Sequence, residues 1–581
     1  MSTFPLPLDS YAAFEALFES SQPSGPASPP VPSPTKPFWS YPGLSQDWPT
    51  QGDDPDGFKA TNPYAREGSE GALTQEADLV IVGSGITGVS IALELSRLVR
   101  GTSDQKMKVV ILEARDFCSG ATARNGGHLT ASISHNYSSL AKMYDADEVK
   151  RCFALEKHTV SSLLSLIKQR GWAEYIDLID GGHNVLMFSE QEYREALRDY
   201  HQAEKAGIIS EGDIEWLSAD ETQREYGAHY PAWRSAGHNL WPLKLVTKLY
   251  ELARDGDRPE VAINEINENI EQAAGWTSGV QQLLQRILPS SQPGTKPNGE
   301  NATQDSMQTH PFELLLHTHT TVQAVLPNQP TSAFKWSIRT QRGTLSTNRV
   351  VYATNAYTSY LLPHLSGPGG IVPVRGQVVA IRADVGYKDE GWEGSGDQQG
   401  LTRSGWSGNE GFEYWFPRPH PKQIDKILIK NPKRPLVILG GARETLKDGG
   451  YGMYETDDSV LDPEASVGLR AFLGNVFPGK FPRAGEDAGI NDRDPAYDGV
   501  EMEWSGIMGF TKSGDPFVGR VKDAAGEVVE DQYIAAGFTG HGMPRAYGCA
   551  EAVAGLIWSD ISGTNWSPPR WLPRHYLTET F

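Results

Sequence analysis

At 581 residues the chain exceeds the ~250–300 residues at which a single hydrophobic core stops growing, so two substantial domains are expected. With 38% hydrophobic and 22% charged residues, a mean hydropathy of -0.44 and no apolar run near the ~18–20 residues of a membrane span, it reads as a water-soluble globular protein. A formal net charge of -21 sets it against a polyanion, which removes nucleic acid as an expected partner and leaves a cationic ligand compatible.

In chain order, MSTFPLPLDS lacks the basic and apolar regions of a secretory leader. Residues 20 to 60, with QPSGPASPPVPSPTKP, are too poor in apolar surface to offset chain ordering, so a proline-rich, mostly extended tail is expected over 1–75. Trp39 and Trp48 are its candidates for docking on the body. DLVIVG at 78 to 83 predicts a buried strand, ITGVSIALELSRLV at 86 to 99 a helix, and VVILEA at 109 to 114 a second buried strand. Together they form a βαβ unit. Gly83-Ser84-Gly85-Ile86-Thr87-Gly88 at its turn fits GxGxxG, in which the first glycine permits the tight turn, the second admits a pyrophosphate to the backbone, and the third lets helix and strand pack closely. The helix N-terminus then offers unpaired N–H groups to phosphate, and Glu113 at the end of the second strand is placed to accept ribose hydroxyls. The spacing to Glu113 exceeds the usual ~20 residues, an excess that RGTSDQKMK at 100 to 108 explains as a surface insertion.

Further along, SQPGTKPNGENATQDSMQ at 291 to 308 predicts a polar insertion, and Asn301-Ala302-Thr303 within it fits a glycosylation triplet of the kind common by chance. RVVYATNAY at 349 to 357 predicts another buried strand leading to a turn. QVVAIRA, FEYWFPR and LVILGGA at 377 to 383, 412 to 418 and 436 to 442 predict an antiparallel sheet, and YIAAGFTGHGM at 533 to 543 a strand and glycine turn before a helix reaching about Trp558. Cys118, Cys152 and Cys549 show neither CxxC spacing nor a histidine pair, so no disulfide framework and no metal site is expected, and an intracellular, cytoplasmic location follows.

Three stretches carry a resemblance. Ser119-Gly120-Ala121-Thr122-Ala123-Arg124-Asn125-Gly126-Gly127, the segment Trp504 to Gly519 (WSGIMGFTKSGDPFVG), and Ala536-Gly537-Phe538-Thr539-Gly540-His541-Gly542-Met543 resemble the D-amino-acid-oxidase-like FAD-dependent oxidoreductases. Within that family the chain looks most like the γ-glutamylputrescine oxidase-type amine oxidases. The resemblance implies FAD, bound by Gly83 to Gly88, by Glu113, Ala114 and Arg115, by Ser119, Ala121, Thr122, Arg124, Asn125, Gly126 and Gly127, and by Gly537, Thr539, Gly540, His541, Gly542 and Met543. Arg124 is expected to neutralise phosphate charge. The late glycine turn implies a helix dipole aimed at the flavin edge where charge gathers on reduction. The implied fold is α/β, a Rossmann-like FAD-binding domain discontinuous in sequence beside an α+β substrate domain built on an antiparallel sheet. Its expected parts are a tail over 1–75, FAD-binding segments over 76–145, 231–365 (with a disordered insertion near 285–310) and 496–581, and substrate segments over 146–230 and 366–495.

Departures from the family bear on substrate. Met508 and Gly540 stand where amino-acid-oxidising relatives carry carboxylate-binding arginines, which disfavours a free α-amino acid held in the usual way. The absence of a thiol at 508, the cysteine position of covalently flavinylated relatives, implies dissociable FAD. Arg375 and Arg418 are candidate replacement cations, and the alternative for Arg375 is a structural arginine bonded to loop carbonyls. His541, Tyr414, Trp415 and Trp504 are candidates for an aromatic cage around an amine, against ordinary wall packing, and His128 for a second ring-side group; His541, Trp504, Tyr414 and Arg375 are the catalytic candidates. The expected reaction is hydride transfer from an amine or N-substituted amino compound to flavin, giving an imine, with molecular oxygen as acceptor. The alternatives are an amino-acid oxidase, a dehydrogenase with another acceptor, and a flavin-binding interaction protein without turnover. A nicotinamide-dependent dehydrogenase would leave the Arg124–Gly127 loop and the late glycine turn unexplained.

Overall fold

The computed structural model describes residues 18, 25–45, 53–102, 106–256, 311–390, 400–419, 434–446, 451–482 and 499–580. The expected insertion near 285–310, the Asn301 triplet and Trp48 lie outside them.

The strand Glu76–Val82 is continuous in apolar residues because both its faces are covered. Leu79 and Ile81, with Val109 and Ile111 of the neighbouring strand Met107–Leu112, pack into one core with helices Ile86–Arg100, Pro242–Asp255 and Ala546–Ser562. The alternate residues Val80, Val82, Val110 and Leu112 join Val322, Ile338 and Leu345 on the other side. These strands belong to an eight-stranded sheet whose parallel centre runs Gly343–Tyr352, Glu76–Val82, Met107–Leu112, Phe312–His317. Val528–Ala536 adds a further parallel pairing to Gly343–Tyr352. Strands before residue 112 and after residue 312 therefore build one Rossmann-like layer, as expected of a discontinuous unit.

A second eight-stranded sheet runs Val500–Phe510, Val372–Arg382, Leu436–Gly441, Glu413–Pro417, Gly405–Gly408, His183–Leu186, Ala232–Ser235, Glu215–Leu217. All its pairings are antiparallel except that between Gly405–Gly408 and His183–Leu186. Helix Pro463–Val476, capped by the Asp462 carboxylate on the N–H groups of Glu464 and Ala465, covers one face with Leu469, Phe472 and Leu473 against Val379, Ile381, Val437 and Leu439. The other face, with Val378, Ala380, Phe416, Ile438 and Trp504, merges into the first core. The two sheets thus share an interior.

One segment differs from the sequence expectation. Val500–Phe510 lies in the antiparallel sheet, paired along its length with Val372–Arg382, rather than in the closing part of the cofactor layer. The proline-rich tail docks in part, through the tryptophan the sequence offered for it: Trp39 is buried with Phe18 and Phe38, its indole donates to Asn125 O at 2.6 Å, and the Trp241 indole donates to Trp39 O at 2.8 Å. A few large aromatics bury enough surface to hold a segment whose average composition argues for exposure. Among the described residues no helix is long and apolar enough to cross a membrane, and no cluster of three metal-ligating side chains occurs.

Candidate cofactor site and reaction chamber

The turn after the first strand is built by glycine where only glycine fits. Gly83 has a φ of +108°, and a Cβ there would stand 2.5 Å from Ala353 O; a Cβ on Gly88 would stand 2.0 Å from Gly83 O, so this position sets the close helix–strand approach. Gly85 differs, since its Cβ would meet only Thr122 Oγ1, at 3.2 Å, and otherwise faces open cavity. The Glu113 carboxylate accepts the Ser84 N–H at 3.0 Å, the Ser84 hydroxyl at 2.7 Å and the Arg115 N–H at 3.0 Å, which aims it at the turn.

One cavity of about 950 Å³ begins at Val82, Gly83 and Glu113, passes Thr122, Asn125 and Gly126, and ends in a chamber walled by Tyr414, Phe412, Met508, Phe510, Gly540 and His541. Of the sequence-predicted cofactor residues, Gly83, Gly85, Ile86, Thr87, Glu113, Ala114, Arg115, Ala121, Thr122, Arg124, Asn125, Gly126, Thr539, Gly540, His541, Gly542 and Met543 line it. Ser84, Gly88, Ser119, Gly127 and Gly537 stand behind the lining. Ser84 braces Glu113 and the Cys118 N–H, Gly127 packs on Leu240 O, Phe416 and Trp39, and Gly537 donates to Asn355 Oδ1 at 3.0 Å.

The late turn is tied down from three directions. Phe538 N–H reaches Asn355 Oδ1 at 3.2 Å, Thr539 N–H reaches Gly509 O at 2.7 Å, and His541 Nε2 meets Glu156 Oε2 at 3.0 Å. Glu156, on helix Ala146–Gln169, also accepts Arg545 Nε at 2.8 Å and the Ser132 N–H at 2.7 Å. Burial acts to raise the Glu156 pKa, yet His541, Arg545 and the donated hydrogen bonds outweigh it and pull it down to about 2. Nothing in the local sequence signals Glu156, whose side-chain partners His541 and Arg545 lie nearly four hundred residues away.

Several expected roles are corrected. Arg124 does not offer its charge to phosphate: its guanidinium donates to Ser119 O at 2.8 Å, Ser505 O at 2.8 Å and Thr35 O at 2.8 Å, and lies 3.5 Å from Asp458. Burial pushes its pKa down to about 10. Arg115 is likewise committed, its Nη1 donating to both carboxylate oxygens of the buried Asp458, at 2.9 and 3.0 Å. Trp504 is fully buried with its indole donating to Arg124 O at 2.9 Å, and it does not line the chamber. Trp415 stacks on Trp406 inside the second core. Arg375 lies outside the cavity near Glu455 (3.6 Å) and Asp462 (3.8 Å), with Asp457 O at 3.3 Å, which fits its structural alternative. Arg418 sits over Trp241 and bonds Asp177 at 2.9 Å.

Tyr414 does reach the chamber, threading between Gly126 and Gly440, where a Cβ at either position would come within 2.4 Å of its ring or hydroxyl. His128 packs edge-on against Tyr414, Phe416 and His183, and burial pushes its pKa down to about 4, so it is a neutral ring. Arg443 and Tyr357 are further lining residues that the sequence did not point to. The Tyr357 hydroxyl is buried and has no hydrogen-bond partner among the described residues, near Glu113, Arg115 and Arg124.

A dinucleotide suits these features. The open cradle at Gly85, the carboxylate of Glu113 and the orphaned Tyr357 hydroxyl supply space, acceptor and donor where the helix N-terminus at Ile86 enters the cavity. The family model described as FAD dependent oxidoreductase matches residues 78–258 and 313–556. The fold is similar to glycine oxidase from Geobacillus kaustophilus (18% identity, TM-score 0.50, covering 85% of this chain and 97% of that one). It is also similar to L-proline dehydrogenase from P. horikoshii (16%, TM-score 0.51, 88% and 98%) and to L-amino acid deaminase from Proteus vulgaris lacking its specific insertion (16%, TM-score 0.52, 90% and 98%). At such identities the likeness concerns the fold. The curated proteins yield no match. With the family model spanning most of the chain, this protein belongs to the D-amino-acid-oxidase-like family of FAD-dependent oxidoreductases.

Proposed function

We propose that this oxidoreductase oxidises the C–N bond of an amine or N-substituted amino compound to an imine, with FAD bound non-covalently and molecular oxygen as terminal acceptor. The observation that carries the reading is the continuity of one cavity from the Gly85–Glu113 crevice to the chamber at Tyr414 and His541. FAD, when bound, supplies the hydride acceptor, and the protein supplies position and field. Gly83 to Gly88 and Glu113 would hold the dinucleotide end, while Ala121 to Gly126 and Thr539 to Met543 would flank the ring portion. His541, oriented by Glu156, and Tyr414, fixed between two glycines, wall the space beside it. The neutral His128 adds no charge that would repel an ammonium group as it enters. Glycine oxidase and L-amino acid deaminase, among the similar structures, act on amino compounds by name, which supports a nitrogenous substrate. L-proline dehydrogenase, similar by fold, keeps an acceptor other than oxygen as the second reading.

The test is anaerobic mixing of the FAD-loaded protein with secondary amines, polyamine conjugates and amino acids, followed by admission of air and measurement of peroxide. Loss of the oxidised flavin spectrum with one compound class and stoichiometric peroxide supports the proposal. Reduction without peroxide selects the dehydrogenase. A flavin that stays oxidised with every compound refutes turnover on amines.

A further inference from the structure

Residues 27 to 39 precede residue 78, where the match to the family model begins, and they run from one wall of the cofactor cavity to the other. On one side the Ala27 N–H donates to the buried Ser359 hydroxyl at 3.0 Å, and Ser359 belongs to the short helix Thr358–Leu361, whose Tyr360 and Leu361 line the cavity. On the other side Thr35 holds the loop that begins at Arg124. Its carbonyl accepts Arg124 Nη2 at 2.8 Å, and its hydroxyl accepts Arg124 Nη1 at 3.1 Å and the Ser505 N–H at 3.0 Å. The Thr35 N–H donates to Asp458 O at 2.8 Å. Pro30, between these two anchors, is itself part of the cavity lining. Past Thr35, the Trp39 ring lies 3.1 Å from the place a Cβ on Gly127 would take, so the segment ends wedged behind the same loop.

The two parts of this segment are held differently. Phe38 and Trp39 are buried in the main core, whereas Ser28, Pro29, Pro32, Ser33 and Lys36 are exposed. Lifting residues 27 to 35 therefore uncovers little apolar surface and breaks a handful of hydrogen bonds, with Phe38 and Trp39 left as the hinge. Pro29, Pro30, Pro32 and Pro34 narrow the conformations open to the lifted segment and so lower the entropy lost when it returns. The walls it joins are those that would flank a dinucleotide, with Thr122, Arg124 and Asn125 on one side and Tyr357 and Tyr360 on the other.

We propose that residues 27 to 35 form a latch on the FAD cleft: FAD enters and leaves when this segment lifts, and bound FAD in turn holds it down. The latch rests on the non-covalent attachment of FAD and is independent of the substrate. Release that waits on opening scales with the open population, so each lost anchor speeds it. Release is timed by diluting the FAD-loaded protein and following the rise in free-flavin fluorescence. Ser359→Ala combined with Thr35→Val removes the hydroxyl at each anchor and releases FAD about 30-fold faster than wild type, and Thr35→Ser in place of Thr35→Val recovers most of the difference. Hydrogen exchange of wild type with and without FAD reads the reverse coupling. The Ala27 and Thr35 amides exchange about 10-fold more slowly in the loaded protein, since an influence of the latch on FAD requires an equal influence of FAD on the latch. A segment that serves only the fold exchanges equally in both states, and that result overturns the latch. So does release within about two-fold of wild type from a double variant whose apoprotein melts as wild type does. Where the double variant does not fold, the wild-type exchange measurement alone decides. Flavin that stays in the acid pellet overturns the non-covalent reading and the latch together, whereas acid-released flavin with unchanged exchange overturns the latch alone.

Discussion

Glu156→Gln tests the clamp that holds the late glycine turn. The wild-type carboxylate is buried, receives Arg545, His541 and the Ser132 N–H, and has its pKa drawn from 4.5 down to about 2. A folded-state pKa below the unfolded one means that ionisation stabilises the native chain above the unfolded pKa, and that this stability is lost as pH falls through the folded value. At about 1.4 kcal/mol per pH unit the ionised group contributes about 3 kcal/mol at neutral pH, about 2.5 near pH 4 and about 1.5 near pH 3. Glutamine keeps the shape and loses the charge, so the variant is less stable by an amount on this order at pH 7, and the gap between variant and wild type narrows as pH falls. Urea unfolding of both FAD-loaded proteins at pH 7, 5 and 4, followed by tryptophan fluorescence, measures the gap directly. A difference below about 0.5 kcal/mol at pH 7, or one that widens on acidification, refutes the coupling.

Gly85→Val and Gly88→Ala separate cofactor space from fold. The first projects into open cavity, leaving folding intact while abolishing FAD retention, whereas the second collides with Gly83 O at 2.0 Å and lowers the thermal midpoint of the apoprotein; FAD content and apoprotein melting check both. Asp458→Asn strands Arg115 and Arg124 in the interior and costs about 3–5 kcal/mol by denaturant unfolding, against within about 0.5 kcal/mol for Asp457→Asn at its neighbour, which is only half-buried and pairs with no buried cation among the described residues. Acid precipitation releases all flavin to the supernatant, as expected with Met508 at the cysteine position of covalently flavinylated relatives; flavin fluorescence in the washed pellet would overturn this.

Local pattern sufficed where geometry itself is local. The turn Gly83–Gly88 was legible because each glycine answers a constraint within a few residues, a positive φ or a close backbone approach. The strands predicted at 377–383, 412–418 and 436–442 appear as Val372–Arg382, Glu413–Pro417 and Leu436–Gly441, since a face packed on a core leaves its signature in adjacent side chains. What charged and aromatic groups do was decided elsewhere. Arg124 was read as a phosphate ligand because its neighbours are small, but its charge meets Asp458, which composition and spacing around residue 124 do not reveal. The sequence offered Trp39 as a docking residue of the tail, but only the folded chain shows that it and Phe38 lie beside Trp241 and Phe416. Arg375 and Arg443 are alike as letters, and only the folded chain sets the first outside the cavity beside Glu455 and Asp462 and the second in the cavity lining against Phe412 and Phe510. Backbone conformation is a short-range property that a sequence carries on its face. Ion pairing and desolvation depend on what the rest of the chain brings within a few ångströms, and that is settled only when the two sheets close on each other.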